Sequence, residues 1–183
     1  MTGDGNPEAL ATDRHEMAHF DPLTHNWKPL VPELIVRDLG ASLRFWRDIL
    51  GFRVLYERPA EGFAYLERER AEVMLEVLGD RSWEVGPLER PFGRGINLQI
   101  EAASLDPMLE ALARARWPLY RQPEERWYRV GAMEAGQRQF LVQDPDGYLL
   151  RFAQSVRRAA PAHEPLFPDG RHVATSAGRA PGL

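Results

Sequence analysis

Any chemistry in this chain must be done without thiols and, over its central stretch, without imidazole. There is no cysteine, which excludes disulfides, thiolate nucleophiles and thiolate metal ligands. His15, His19 and His25 precede the patterned part of the sequence, and His163 and His172 follow it. What remains are carboxylates, carboxamides and guanidinium groups among aromatics. Glu72, Met74 and Glu76 alternate with Val73, Leu75 and Val77, and Asn97 and Gln99 alternate with apolar neighbours. A period of two sets each group on one face of a strand. Phe63 and Tyr65 share a face in the same way. Carboxylates in a hollow attract cations, hold hard metal ions through oxygen, or, when dry, titrate in a range useful for acid–base work. Trp127 and Tyr128 are adjacent in the chain, so they point to opposite faces, and one of the two is expected to line a cleft.

These residues need elements to position them, and the elements recur. Val36-Arg37-Asp38 overlies Ile100-Glu101-Ala102 at a shift of 64 residues (36 to 100), and the same shift sets Val54-Leu55-Tyr56 on Pro118-Leu119-Tyr120. An internal repeat governs the fold. In the first half, Glu33 to Val36 reads as a strand. Asp38 is placed to cap a helix whose apolar positions are Leu39, Leu43, Trp46 and Leu50, and Gly51 ends it. Strands follow at Phe52 to Tyr56, Gly62 to Leu66 and Glu72 to Leu78. The segment 79–95 holds Pro87, Pro91 and several glycines and reads as a connector. In the second half, Ile96 to Ile100 is a strand and Ser104 caps a helix with Leu105, Met108, Leu109 and Leu112 on its apolar side. Strands then run from Leu119 onward, Trp127 to Ala132, Gln139 to Gln143 and Tyr148 to Phe152, the last after the tight turn Asp144-Pro145-Asp146-Gly147. Each half is a βαβββ module, about 30–78 and 96–154. The stretches 1–27 and 157–183 lack periodicity and read as a flexible arm and a flexible tail flanking one domain, 28–156.

Bulk properties narrow the function classes. A length of 183 residues suits one domain or two fused halves. The net charge of -4 offers no basic stripe, so a nucleic-acid partner is not expected. No apolar run reaches the roughly 20 residues that cross a bilayer. Met1 to Ala11 has neither a basic start nor an apolar stretch, so no secretory signal is expected and a cytoplasmic location is the default. Lys28 is the only lysine; arginine carries almost all positive charge.

Three strings stand out: Val31-Pro32-Glu33-Leu34-Ile35-Val36-Arg37-Asp38-Leu39, Phe45-Trp46-Arg47-Asp48-Ile49-Leu50-Gly51-Phe52, and Asp144-Pro145-Asp146-Gly147-Tyr148. Together they resemble the vicinal oxygen chelate superfamily, which includes glyoxalase I, extradiol dioxygenases and the fosfomycin and bleomycin resistance proteins. The resemblance implies an α+β fold of paired βαβββ modules forming an incomplete barrel around a ligand cup, usually in a homodimer. It also implies where metal-dependent relatives carry four ligands, from the first and last strand of each module. Here those positions fall on Val31 or Glu33, on Glu76, on Asn97 and on Arg151. Arginine is always protonated and cannot ligate, so the resemblance implies no metal and no cofactor. The one oxygen site left open is a weak Mg²⁺ site of Glu33, Glu76 and Asn97.

The ligand-binding set so implied is Glu33, Phe63, Tyr65, Glu76, Asn97, Gln99, Glu101, Trp127 and Arg151, with Glu72 beside it. Glu76 and Arg151 are expected to form an ion pair that keeps the cup open. The branch most resembled is bleomycin resistance: a metal-free protein with no catalytic residue that sequesters a cationic glycopeptide. Carboxylates would meet its cationic tail and aromatics its thiazole rings. The alternative is a metal-dependent lyase, isomerase or dioxygenase acting on a small metabolite, or acid–base chemistry by Glu76 alone.

Overall fold

A computed structural model describes residues 20–80 and 82–156. The first module runs β1 (Glu33–Val36), α1 (Leu39–Leu43) with a π-helical continuation (Arg44–Ile49), β2 (Arg53–Arg58), β3 (Phe63–Arg68) and β4 (Ala71–Val77). The second runs β5 (Asn97–Glu101), α2 (Asp106–Arg114), β6 (Leu119–Val130), β7 (Met133–Gln143) and β8 (Leu149–Val156). The sheets have equivalent orders, β1-β4-β3-β2 and β5-β8-β7-β6. In each, the first strand pairs in parallel with the last and the others are antiparallel. The expected α+β architecture of two βαβββ modules is therefore present, and the sheets do not close into a barrel.

Local chemistry explains the elements. The Asp38 carboxylate accepts the Ala41 N–H at 2.9 Å and caps α1. The helix widens where the adjacent Phe45 and Trp46 are both buried: the Leu50 N–H reaches the Phe45 carbonyl at 2.9 Å, five residues back. Gly51 leaves the helix at φ +75°, where a side chain would be strained and would strike the Arg68 guanidinium. The second cap differs from expectation. Ser104 sits one position early and accepts only a long 3.4 Å bond from Asp106. The runs from Leu119 and from Trp127 are one strand, not two; bulges between Leu119 and Glu124 absorb Pro123 without breaking it.

The core lies on one face of each sheet. Leu34, Val36, Ala64, Leu66, Val73 and Leu75 pack with Phe45, Trp46, Leu50 and Phe52, and this cluster continues into Ile100, Leu105, Met108, Leu112, Phe140, Val142, Leu150 and Phe152. The modules are also latched through polar groups. The Arg37 side chain donates to Asp146 at 2.6 Å and its backbone N–H to the same carboxylate at 3.1 Å. The Tyr148 hydroxyl donates to the Ile35 carbonyl at 3.2 Å. No helix among the described residues is long and apolar enough to cross a membrane.

Candidate functional site

Strand pleating dictates what the opposite face of the first sheet displays. With Leu34, Leu75, Ala64 and Val54 turned to the core, the register sends Glu33 and Ile35 of β1, Met74 and Glu76 of β4, Phe63 and Tyr65 of β3, and Tyr56 and Arg58 of β2 the other way. A bulge between Val54 and Tyr56 turns Leu55 onto this face as well. Across the sheet the face thus runs from carboxylates through aromatics to a guanidinium. Tyr56 and Tyr65 stack at 5.3 Å, and the Arg58 guanidinium lies 3.9 Å over the Phe63 ring, within range of a cation–π contact.

The carboxylates fall into two groups. Glu33 and Glu76 share one end. Burial raises the Glu33 pKa, and a hydrogen bond and charge repulsion from Glu76 add to that, against a smaller opposing pull from Arg58. The second group centres on Glu72, whose side chain is fully buried. Its Oε2 accepts the Tyr65 phenol at 2.6 Å and the Lys28 backbone N–H at 3.4 Å. Its Oε1 lies 3.0 Å from His25 Nε2 and 3.6 Å from Lys28 Nζ. Burial pushes the Glu72 carboxyl up, but the bonds from Tyr65, His25 and Lys28 outweigh it and hold the group below the usual carboxylate range.

His25 was expected to lie in a flexible arm. Instead residues 20–28 cover this face. The segment is folded on itself by Asp21, which accepts the Leu23 N–H on its side chain at 2.9 Å and the His25 N–H on its carbonyl at 3.1 Å. Phe20 stacks on Tyr56 at 5.4 Å, and Trp27 meets Tyr65 edge-on at 5.4 Å. Asp21-Pro22 is the sequence signal for this turn, since Pro suits its second position. The flanking Phe20 and Trp27 supply the apolar contacts. Residues 1–19, including His15 and His19, lie outside the described residues, as do 157–183.

The second module shows its remaining residues on the equivalent face. Asn97, Gln99 and Glu101 alternate outward on β5 and are exposed, while Leu98 and Ile100 turn inward. Gln99 and Arg151 are register partners on β5 and β8, and the Arg151 guanidinium hydrogen-bonds the Gln99 side chain. The expected Glu76–Arg151 ion pair does not form: Arg151 bonds its own sheet neighbour Gln99, and the group beside Glu76 is Glu33. Trp127 does not share the cup face. It pairs with Gly136 and lies against it. Tyr128 turns the other way and donates to Gln139 at 3.2 Å, and Gln139 in turn donates to Glu124 at 3.2 Å.

The donor set does not fit a metal centre. Glu33 and Glu76 form a pair, the third and fourth positions offer a carboxamide and a guanidinium, and among the described residues no three His, Cys, Asp or Glu side chains converge. The face of the first sheet offers a buried carboxylate meeting an imidazole and an ammonium, framed by stacked aromatic rings.

Comparisons with known proteins bear on the whole domain. Residues 18–152 match the profile of the Glyoxalase/Bleomycin resistance protein/Dioxygenase superfamily. A superfamily member from Vibrio splendidus is 38% identical, with 68% of this chain and 95% of that one covered and a TM-score of 0.32. TioX from a Micromonospora species is 20% identical over 71% of this chain and 100% of its own, with a TM-score of 0.55. A virulence protein from Salmonella typhimurium is 20% identical over 71% and 98%, with a TM-score of 0.51. The last two likenesses show the fold alone. Among proteins of curated function, none matches the sequence.

Proposed function

The chain belongs to the glyoxalase/bleomycin resistance protein/dioxygenase superfamily, and we propose that within it this protein is a metal-free binder that sequesters a cationic, ring-bearing small molecule of the bleomycin type. The observation that carries this reading is the environment of Glu72. A fully buried carboxylate costs several kcal/mol, of order 3–5, if left without a partner. Here it is matched with an imidazole and an ammonium, while Phe20 stacks on Tyr56 and Trp27 meets Tyr65 edge-on alongside. A ligand with a cationic tail and flat heteroaromatic rings presents the same groups. Stacking contributes about 0.5–1.5 kcal/mol per ring pair, and Glu33 and Glu76 extend the acidic surface toward further cations. A pair of copies in a cytoplasmic setting belongs to the same proposal, and light scattering of the eluting species tests the pairing.

The test is a calorimetric titration of metal-analysed protein with metal-free and Cu²⁺-bound bleomycin. Saturation near one ligand per chain, at micromolar affinity or tighter, supports sequestration. Absence of heat at high micromolar drug removes the bleomycin assignment. Stoichiometric Ni, Zn, Fe or Mn in the purified protein would favour the metal-dependent enzyme instead.

A further inference from the structure

The acidic–aromatic face is already occupied, and its occupant is part of the same chain. Residues 20–28 bring two aromatic rings, an imidazole and an ammonium onto Tyr56, Tyr65 and Glu72. Phe20 also makes edge contacts with His25 at 5.3 Å and Trp27 at 5.8 Å, so the segment presents one connected aromatic–cationic surface. Yet its hold is light. Trp27 is 42% exposed and Leu23 is 93% exposed. It meets the face through side-chain contacts and one long backbone bond from Lys28; its own backbone bonds close a local turn and pair with no strand.

We propose that residues 20–28 are a built-in competitor, a strap that occupies the ligand face and must leave it before an aromatic cation can bind. This rests on the reading of that face as the binding site and adds how access to it is controlled. The strap meets the face with the two kinds of group that a ligand would use, so strap and ligand cannot both contact Glu72 and the Tyr56–Tyr65 stack. A site that is open only part of the time binds with an apparent dissociation constant raised by the inverse of the open fraction. Weakening the strap therefore strengthens ligand binding without touching the site.

The test uses the full chain and thioflavin T, a flat benzothiazolium cation, read by its fluorescence. The double variant Phe20→Ala/Trp27→Ala removes both ring contacts of the strap and leaves Tyr56, Tyr65 and Glu72 in place. Its dissociation constant for the dye is expected to be about tenfold lower than wild type, or lower still, and adding Glu72→Gln is expected to reverse most of the gain. Equal affinity in wild type and variant, weaker binding in the variant, or no dye binding to either would overturn the proposal. Should the double variant fail to fold by circular dichroism, His25→Ala loosens the strap at one partly exposed side chain. The same direction of change is expected, and unchanged affinity there counts against the strap. Bleomycin titrated in parallel separates the two ideas. Dye gain with no bleomycin binding in either protein keeps the strap and removes the drug assignment. Bleomycin and dye that each bind wild type and variant equally keep a binding site and remove the strap.

Discussion

Tyr65→Phe tests how the Glu72 carboxylate is kept inside the protein. The substitution removes one oxygen and leaves the ring stacked on Tyr56, so packing is nearly unchanged. It deletes the shortest bond to Glu72, the phenol at 2.6 Å. The Glu72 side chain has no solvent exposure, so water does not replace the lost donor. Hydrogen bonds to charged groups contribute about 1.5–3 kcal/mol. For a chain of this size 1 kcal/mol corresponds to about 2–4 °C, so the melting temperature at pH 7 should fall by roughly 3–12 °C. A cycle with Glu72→Gln should show coupling of about 1–3 kcal/mol. The pH profile carries the sign. A carboxyl held below its usual range contributes stability that is present above about pH 4.5 and lost as pH falls through its lowered value. Without the Tyr65 bond that value moves back toward the ordinary one, so the variant, already less stable at pH 7, loses less further stability on acidification than wild type. Thermal and urea unfolding at several pH values provide the measurement. A Tyr65→Phe protein within about 0.5 kcal/mol of wild type, or strictly additive double-mutant energies, would refute the reasoning.

Other perturbations probe separate features. Asp144 has its carboxyl pushed up to about 6, with burial outweighing three backbone N–H bonds. A raised acid contributes stability present below about pH 3.8 and lost as pH climbs through about 6; Asp144→Asn should abolish that part of the profile in a pH series of melting curves. Glu33, also raised by burial and by Glu76, gives the same sign: Glu33→Gln should match wild type near pH 4 and melt higher than wild type at pH 7.5. A methyl at Gly136 would sit 2.7 Å from the Trp127 indole. Gly136→Ala should therefore displace that ring, cost about 1–3 kcal/mol and change tryptophan emission, while Gly131→Ala, with open space around it but φ +61°, should lose stability without moving Trp127.

Much of this was legible because it is local or periodic. Alternation of Glu72, Met74 and Glu76 named the face of β4 correctly, and the repeat named the equivalence of β1 with β5. The bulges were not legible. One in β2 sends Leu55 and Tyr56 to the cup side together, and those in β6 fuse two expected strands and decide that Tyr128, not Trp127, joins Gln139. Alternation counted along the chain fails wherever one extra residue enters a ladder. Glu76 and Arg151 looked like partners because their charges are opposite. In space each has a nearer neighbour on its own sheet, Glu33 and Gln99. Residues 20–28 were missed for a different reason: their order depends on contacts with Tyr56, Tyr65 and Glu72 far along the chain, which no local window contains.

The strings that carried the family resemblance turn out to do structural work. Asp38 caps α1, Gly51 turns the chain out of the helix, and Asp144 gathers three backbone N–H groups into a turn. Arg37 and Asp146, from opposite ends of the domain, bind each other and latch the modules together. None of these groups faces the acidic–aromatic surface. A fold kept by such latches can change what lines its cup without losing its architecture, which is why membership of the superfamily alone does not specify chemistry. In this chain the cup-facing positions hold a carboxylate pair, a buried Glu72 and stacked tyrosines. The decisive perturbations are therefore those that leave the latches intact while changing what Glu72 meets.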